Sequence, residues 1–137
     1  PFFGKFALPS YLGKPTFLMG TKRIFIDKKV RIFPHIRMET HQNGSIHIHE
    51  DVIISQNVHI TSAGNLEIGK KSLILANVFI TNIDHDYQEI DKHVVKQCIV
   101  GANSVVRGEF PDYCVIVGAP AKLVKKYNPD NKIWEKV

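Results

Sequence analysis

The sequence has few cysteines, a single tryptophan and no long apolar run in its 137 residues. Two cysteines, Cys98 and Cys114, are too few for the disulfide framework of a small secreted domain, so we expect buried thiols. A membrane-spanning helix needs about 18 or more consecutive apolar residues, and no such stretch is present. Disulfide-stabilised and membrane-spanning classes are therefore not expected.

A signal-peptide layout is also missing. The N-terminal stretch is apolar in places, but Lys5, Pro9, Lys14 and Pro15 interrupt it. We therefore expect a cytoplasmic protein. The apolar share of 44% and the length of 137 residues fit one globular domain, residues 1–137.

The charge pattern does not favour nucleic acid. The formal net charge is +5, but the basic residues are scattered apart from one cluster in AKLVKKY. Neither interleaved aromatic and basic residues nor a zinc-finger spacing occurs. A phosphorylated small molecule fits a single short basic cluster better than a duplex does.

Isoleucine recurs at intervals of six residues. The series comprises Ile26, Ile32, Ile48, Ile54, Ile60, Ile68, Ile74 and Ile80. A second apolar or small residue stands four places later, at Val30, Val52, Val58, Ser72 and Val78. A helix would rotate such a stripe off one face, whereas alternation within each six suits short strands. The period predicts a parallel β-helix with coils of about eighteen residues, and an antiparallel sandwich is the less favoured alternative.

The repeat also predicts a register and the domain organisation. Ile54 should stack on Ile74, and Asn57 on Asn77. Within the single domain, we expect four parts along the chain. They are a less regular segment 1–43, coils over 44–85, a loop over 86–98, and a last coil with a short C-terminal tail or helix over 99–137.

Two segments, FITNIDHDYQEI and VGANSVVRGEFPDYCVIVGAPAKLVKKYN, resemble the bacterial hexapeptide-repeat acyltransferases. The resemblance is strongest to the O-acetyltransferases of polysaccharide synthesis. It implies an all-β, left-handed parallel β-helix, acetyl-CoA as co-substrate and no metal. It further implies a homotrimer, a sugar or polysaccharide acceptor, and peripheral contact with membrane-linked glycan precursors.

His85 stands where the six-residue repeat breaks down. O-acetyl transfer needs a base for a weakly nucleophilic hydroxyl, and histidine has a suitable pKa. The resemblance gives His85 the catalytic role, against the alternative of an ordinary surface-loop histidine. It also matches Asn57 to a residue that holds the acceptor or the oxyanion, the alternative being a polar ladder with Asn77.

The resemblance assigns the coenzyme contacts to the C-terminal motif. Lys122, Lys125 and Arg107 match basic positions suited to the phosphates of coenzyme A. Gly101 and Ala102 are expected to leave room for the pantetheine arm. A solvated basic surface is the alternative for the lysines.

The chain departs from the family after His85, where about two coils of the usual length are lacking. Either the protein is truly shorter, or an internal piece is missing from the sequence in hand. We favour the second explanation, which predicts a break in the backbone between Tyr87 and Cys98.

Two other functional classes remain open. A γ-carbonic-anhydrase-like protein would bind zinc through three histidines, and His41 and His59 are one eighteen-residue coil apart. Against this, no H-x₄-H pair occurs, and His35, His47 and His49 are expected to decorate strand surfaces. The remaining class is a non-catalytic β-helix scaffold.

Overall fold

A computed structural model of the chain describes residues 3–83 and 92–137. These residues form short β-strands and one 3₁₀ turn, Thr21–Arg23. The strands are β1 (Lys5–Phe6), β2 (Tyr11–Leu12), β3 (Phe17–Met19), β4 (Ile24–Ile26), β5 (Arg31–Ile32), β6 (Arg37–Thr40), β7 (Ser45–Ile48), β8 (Ile53–Ile54), β9 (His59–Ser62), β10 (Asn65–Ile68), β11 (Leu73–Ile74), β12 (Phe79–Thr81), β13 (Lys92–Val95), β14 (Ile99–Val100), β15 (Val105–Val106), β16 (Cys114–Gly118), β17 (Ala121–Asn128) and β18 (Ile133–Lys136). Within these two ranges, no helix has the length and apolar character needed to cross a membrane.

The strands stack into three parallel sheets, which form the faces of a prism. Face A is β1-β4-β7-β10-β13, face C is β3-β6-β9-β12-β15, and face B runs from β2 through β5, β8, β11 and β14 to β16. Each coil crosses faces A, B and C in turn, so coil 1 is β1–β3, coil 2 is β4–β6, coil 3 is β7–β9, coil 4 is β10–β12 and coil 5 is β13–β15. The predicted parallel β-solenoid is confirmed.

The register predicted from the isoleucine period is also confirmed. Ile48 pairs with Ile68, Ile54 with Ile74, and Ile60 with Ile80. All six side chains are buried. The coils are longer than eighteen residues, however: coil 3 lies twenty residues before coil 4, because the chain takes eight residues rather than six to return from face C to face A.

The corners explain why the repeat has six residues. From coil 2 onward, a residue with positive φ comes just before the buried corner residue, as at Asn57 before Val58. On edge BC, between faces B and C, these residues are His35, Asn57, Asn77 and Asn103. On edge AB they are Lys29, Asp51, Lys71, Gln97 and Tyr113. One left-handed residue turns the chain, and the next side chain fills the corner.

Regular coils begin earlier than the sequence indicates. Coils 1 and 2 are complete within residues 5–40, although we expected irregular structure before residue 44. The inward positions of coil 1 hold Phe6, Leu12 and Leu18, which pair with Ile26, Ile32 and Met38. The isoleucine signal is missing there because other large apolar residues occupy the same inward positions.

The segment after His85 differs from the expected loop over 86–98. Lys92–Val95 is a strand that pairs with β10, and Val95 is buried opposite Ile68. Coil 5 therefore stacks directly on coil 4, with no further coil between them. Of the interval from Tyr87 to Cys98 in which a break was expected, residues 87–91 lie outside the described residues, and residues 92–98 are described as the strand Lys92–Val95 and the corner that follows it.

The C-terminal region is an antiparallel hairpin rather than a tail or helix. Face B ends with β16, β17 and β18, and Gly118 pairs with Ala121 across the tight turn at Ala119–Pro120. The hairpin extends the sheet because β17 pairs with the outer edge of β16.

Cys98 and Cys114 are corner residues of edge AB. Both are fully buried, and their sulfurs are 2.6 Å apart. They continue the stack that Val30, Val52 and Ser72 begin, which confirms the expectation of buried thiols. Burial and the neighbouring Cys98 sulfur raise the pKa of Cys114 far above its ordinary value, with the Cys98 hydrogen bond as the larger cause.

Candidate active site

Asn57 lies at a corner of edge BC with its side chain exposed. Its Nδ2 donates to Oδ1 of Asn77 at 2.7 Å, and its φ is 59°. Asparagine tolerates this conformation better than most residues. The polar ladder weighed as an alternative is therefore present, and a contact with acceptor or oxyanion stays a prediction.

Gly101 lies next to Ala102 on the same edge, two coils beyond Asn57. Its N–H donates to the carbonyl of Ile116 at 2.9 Å. A Cβ at Gly101 would lie 2.4 Å from Cγ1 of Val117, so glycine lets β14 and β16 approach closely. The space at the Gly101 Cα is thus filled by Val117, whereas Ala102 is exposed.

Lys122 and Lys125 lie on β17 with exposed side chains. Lys122 pairs with Val117, the residue that packs against Gly101, and Lys125 pairs with Val115. The structure therefore brings Gly101 and Lys122 to the same end of face B. Lys125 lies nearer the other end of the face, beside the corner residue Cys114 of edge AB. Two exposed ammonium groups along one strand suit the phosphates of an extended anionic ligand.

Arg107 lies elsewhere, on edge CA. It follows β15, and its Nη2 donates to the carbonyl of Ile83 at 2.7 Å. The structure does not bring Arg107 together with Lys122 or Lys125. Its observed contact instead holds the backbone just before residues 84–91.

His85 lies outside the described residues, but the chain leading to it is firmly held. The buried Asn82 donates from Nδ2 to Oγ of Ser62 at 3.0 Å and accepts from the N–H of Ala63 at 2.9 Å. Thr61 Oγ1 donates to Thr81 Oγ1 at 2.9 Å. Fully paired buried polar groups fix a single local arrangement, so a rigid support ends shortly before His85.

Face C lies between these two edges and carries a pair that sequence reasoning missed. His59 Nε2 lies 2.5 Å from Oε2 of Glu39, and the same carboxylate lies 3.7 Å from His41 and from Arg37. Glu39 and His59 are twenty residues apart, as are Ser62 and Asn82. Ser62 and Asn82 are one coil apart, whereas Glu39 lies opposite Thr61 in the sheet and contacts His59 diagonally. A search for polar pairs at a spacing of twenty would have found both.

The eighteen-residue spacing of His41 and His59 does not place them at paired positions of neighbouring strands. His59 pairs with Arg37 in the sheet, and the two histidines meet only through Glu39. The zinc arrangement considered for this pair therefore has no support from their positions.

An open cavity of about 400 Å³ lies on edge AB of the first coils. It is lined by Pro9, Ser10, Tyr11, Lys29, Arg31 and Asp51. None of the predicted site residues lines it. The candidate site is an exposed surface centred on face C. Asn57, Gly101, Ala102 and Lys122 lie toward edge BC, and Arg107 and the chain that leads to His85 lie at edge CA.

No family model matches the chain. An Escherichia coli K12 protein, whose name assigns it to O-acetyl transfer in lipopolysaccharide biosynthesis, is 31% identical over 74% of this chain and 70% of its own length. A Mycobacterium tuberculosis protein named as an acetyltransferase is 26% identical over 84% of this chain, which spans 49% of that protein.

Solved structures confirm the architecture. The hexapeptide-repeat acetyltransferase of Vibrio cholerae, solved with acetyl-CoA, superposes with a TM-score of 0.75. It is 20% identical and covers 91% of this chain and 72% of its own. The coil register and the Escherichia coli relative together show that the chain belongs to the hexapeptide-repeat acetyltransferase family.

Proposed function

We propose that this protein transfers an acetyl group from acetyl-CoA to a hydroxyl of a sugar in bacterial polysaccharide synthesis. The match to the Escherichia coli relative carries this proposal, because it spans most of both chains. The acceptor is a free or membrane-linked glycan precursor, and the reaction takes place in the cytoplasm.

His85 acts as general base in this scheme. Its imidazole takes the proton of the acceptor hydroxyl while the hydroxyl oxygen attacks the thioester carbonyl. The tetrahedral intermediate collapses, the C–S bond breaks, and the imidazolium returns its proton to the coenzyme A sulfur. The hydrogen-bonded Asn82 supports the proposal, because a base is effective only when it is held in position.

Acetyl-CoA lies along edge BC in this proposal. Lys122 and Lys125 contact its phosphates, Gly101 and Ala102 border the pantetheine arm, and Arg107 supports the histidine segment from edge CA. Gly101 and Lys122 lie at the same end of face B, which supports this orientation.

A C3 homotrimer completes the site. Asn57 is on edge BC, whereas the described chain before His85 ends at Ile83 on edge CA, at the opposite side of face C. Edge BC of one subunit facing edge CA of the next would join Asn57 and His85 in one cleft. Light scattering should give three times the chain mass, and a stable monomer at micromolar concentration would contradict this arrangement.

The function is tested by thiol release from acetyl-CoA in the presence of candidate acceptors. The panel contains free, nucleotide-linked and lipid-linked sugars, with product mass recorded for each. We expect acceptor-dependent release and a product carrying one added acetyl group. Acetylation of amines alone, or release unaffected by every sugar, would overturn the assignment to O-acetyl transfer.

A further inference from the structure

Face A carries a compact cluster of histidine and carboxylate groups that acetyl transfer does not use. Its members are Asp27, His47 and His49, whose potential ligand atoms all lie within 4.8 Å of one another. His47 and His49 flank the buried Ile48, so strand alternation places both rings on the outside of face A. Asp27 reaches them from the preceding coil.

The backbone ladder fixes these positions. The N–H of Asp27 donates to the carbonyl of Ile48 at 3.0 Å, and the N–H of His49 donates to the carbonyl of Ile68 at 2.9 Å. The cluster therefore does not depend on a flexible loop. The side chains are about two-thirds buried or more, since Asp27 is 19% exposed, His47 33% and His49 31%.

The spacing of the three groups suits a shared tetrahedral ion. His47 Nε2 lies 3.1 Å from Oδ1 of Asp27, and His49 Nδ1 lies 3.6 Å from its Oδ2. Two ligands of a tetrahedral zinc ion, each at about 2.0–2.1 Å from the metal, are roughly 3.3 Å apart. The rings of His47 and His49 are stacked, with centroids 3.9 Å apart and an interplanar angle of 21°, so at least one ring must turn for both nitrogens to face one ion.

Glu67 is a fourth side chain of this cluster, and it contacts His49. Its Oε1 lies 2.9 Å from Nε2 of His49. A carboxylate at this nitrogen favours the tautomer with the proton on Nε2, which leaves the lone pair on Nδ1 facing Asp27. Histidine ligands of metals are commonly oriented by such an outer carboxylate.

We propose that Asp27, His47 and His49 bind a divalent transition-metal ion of the zinc type. Glu67 is a positioning residue that orients His49. The ion joins coil 2 to coil 3 on face A, and it stabilises the folded solenoid rather than taking part in acetyl transfer. Histidine nitrogen and carboxylate oxygen are ordinary zinc ligands, and a water completes the coordination.

Lys5 competes with a metal ion for the carboxylate of Asp27. Its Nζ lies 3.0 Å from Oδ1 of Asp27. Burial raises the pKa of Asp27, but the hydrogen bonds and charges of Lys5 and His47 outweigh it, so the net pKa is lowered and the carboxylate stays ionised. Since Lys5 is half-exposed, it can turn to solvent when an ion binds.

The test is metal titration of the tag-free protein. Zn²⁺ binding is measured by calorimetry, and Co²⁺ binding by the visible absorption of a tetrahedral ion. We expect one ion per chain and a melting temperature that rises with Zn²⁺ and returns with a chelator. Glu67→Gln should weaken binding about 10–100-fold, and His47→Gln or the isosteric Asp27→Asn at least as much. Lys5→Met should tighten it.

The matched control is His59→Gln, which removes a histidine from the similar Glu39 pair on face C. It should leave Zn²⁺ affinity unchanged. If His59→Gln weakens binding as much as His47→Gln does, surface histidines bind the ion generally and the proposal is wrong. Wild-type protein without saturable uptake would also overturn it. Melting curves without metal establish that each variant is folded, and neither outcome depends on acetyltransferase activity.

Discussion

Edges BC and CA both border face C of the solenoid, but the chain turns the corner differently at each edge. On edge BC the chain passes from Ile54 to Ile60, and from Ile74 to Ile80, in six residues each. One left-handed asparagine makes each turn. On edge CA the return from Ile60 to Ile68 takes eight residues, and polar side chains such as Asn82 are buried in the corner.

The two edges suit two different requirements of acetyl transfer, which are binding of the coenzyme and placement of a base. An edge that repeats without insertions gives a straight, exposed track, which suits an extended coenzyme. An edge that admits insertions can carry additional chain, and the segment with His85 leaves from there. The buried hydrogen bonds of Asn82 with Ser62 and Ala63 tie coil 4 to coil 3 at this edge.

Removing the proposed base, His85, should have the largest effect. His85→Ala should lower kcat by about 10²–10⁴-fold, because general-base assistance contributes that much. The KM for acetyl-CoA should change little, since the proposal places the coenzyme along edge BC. Steady-state kinetics with a confirmed acceptor provide the measurement.

His41→Ala is the control for that variant, because His41 lies on the same edge two coils earlier. It should keep normal turnover. Wild-type kcat in His85→Ala would refute the general-base role, whatever the other variants show.

The next effect is on stability and contrasts the two edges directly. Asn82→Ala should reduce the free energy of unfolding by about 1–3 kcal/mol, because Ser62 and the Ala63 N–H lose a buried partner. Asn77→Gly on edge BC should be nearly neutral, since Asn77 is exposed and glycine adopts its φ of 61° readily. Urea denaturation compares them, and equal losses would mean that the two edges do not differ in this respect.

Lys122→Ala should act on coenzyme affinity rather than on turnover. A lost charge-assisted contact to phosphate costs about 1.5–3 kcal/mol, so the KM for acetyl-CoA should rise about tenfold or more. kcat should stay near the wild-type value, because phosphate contacts change little between ground and transition states. Lys126→Ala is the control on the same strand, and an equal rise there would indicate a general charge effect.

The sequence predicted edge BC better than edge CA for a physical reason. Six-residue turns repeat, so Ile54 and Asn57 predicted the positions of Ile74 and Asn77 correctly. Edge CA has no fixed length, so the coil was taken as eighteen residues, and pairs twenty apart, such as Glu39 with His59, were missed. The strand Lys92–Val95 was taken as loop because its sequence, KHVV, has no isoleucine that continues the six-residue period.

Asn57→Gly provides the smallest and most specific test of edge BC. Glycine keeps the left-handed corner, so stability should stay within a few tenths of a kcal/mol and any effect on activity reports the lost amide. If Asn57 orients the acceptor by a neutral hydrogen bond, kcat/KM should fall about twofold to tenfold. Asn77→Gly, which removes the other half of the same amide pair, should leave kcat/KM unchanged. If Asn57→Gly is as active as the wild type, Asn57 only turns the chain at the corner. Edge BC would then contact the coenzyme and not the acceptor.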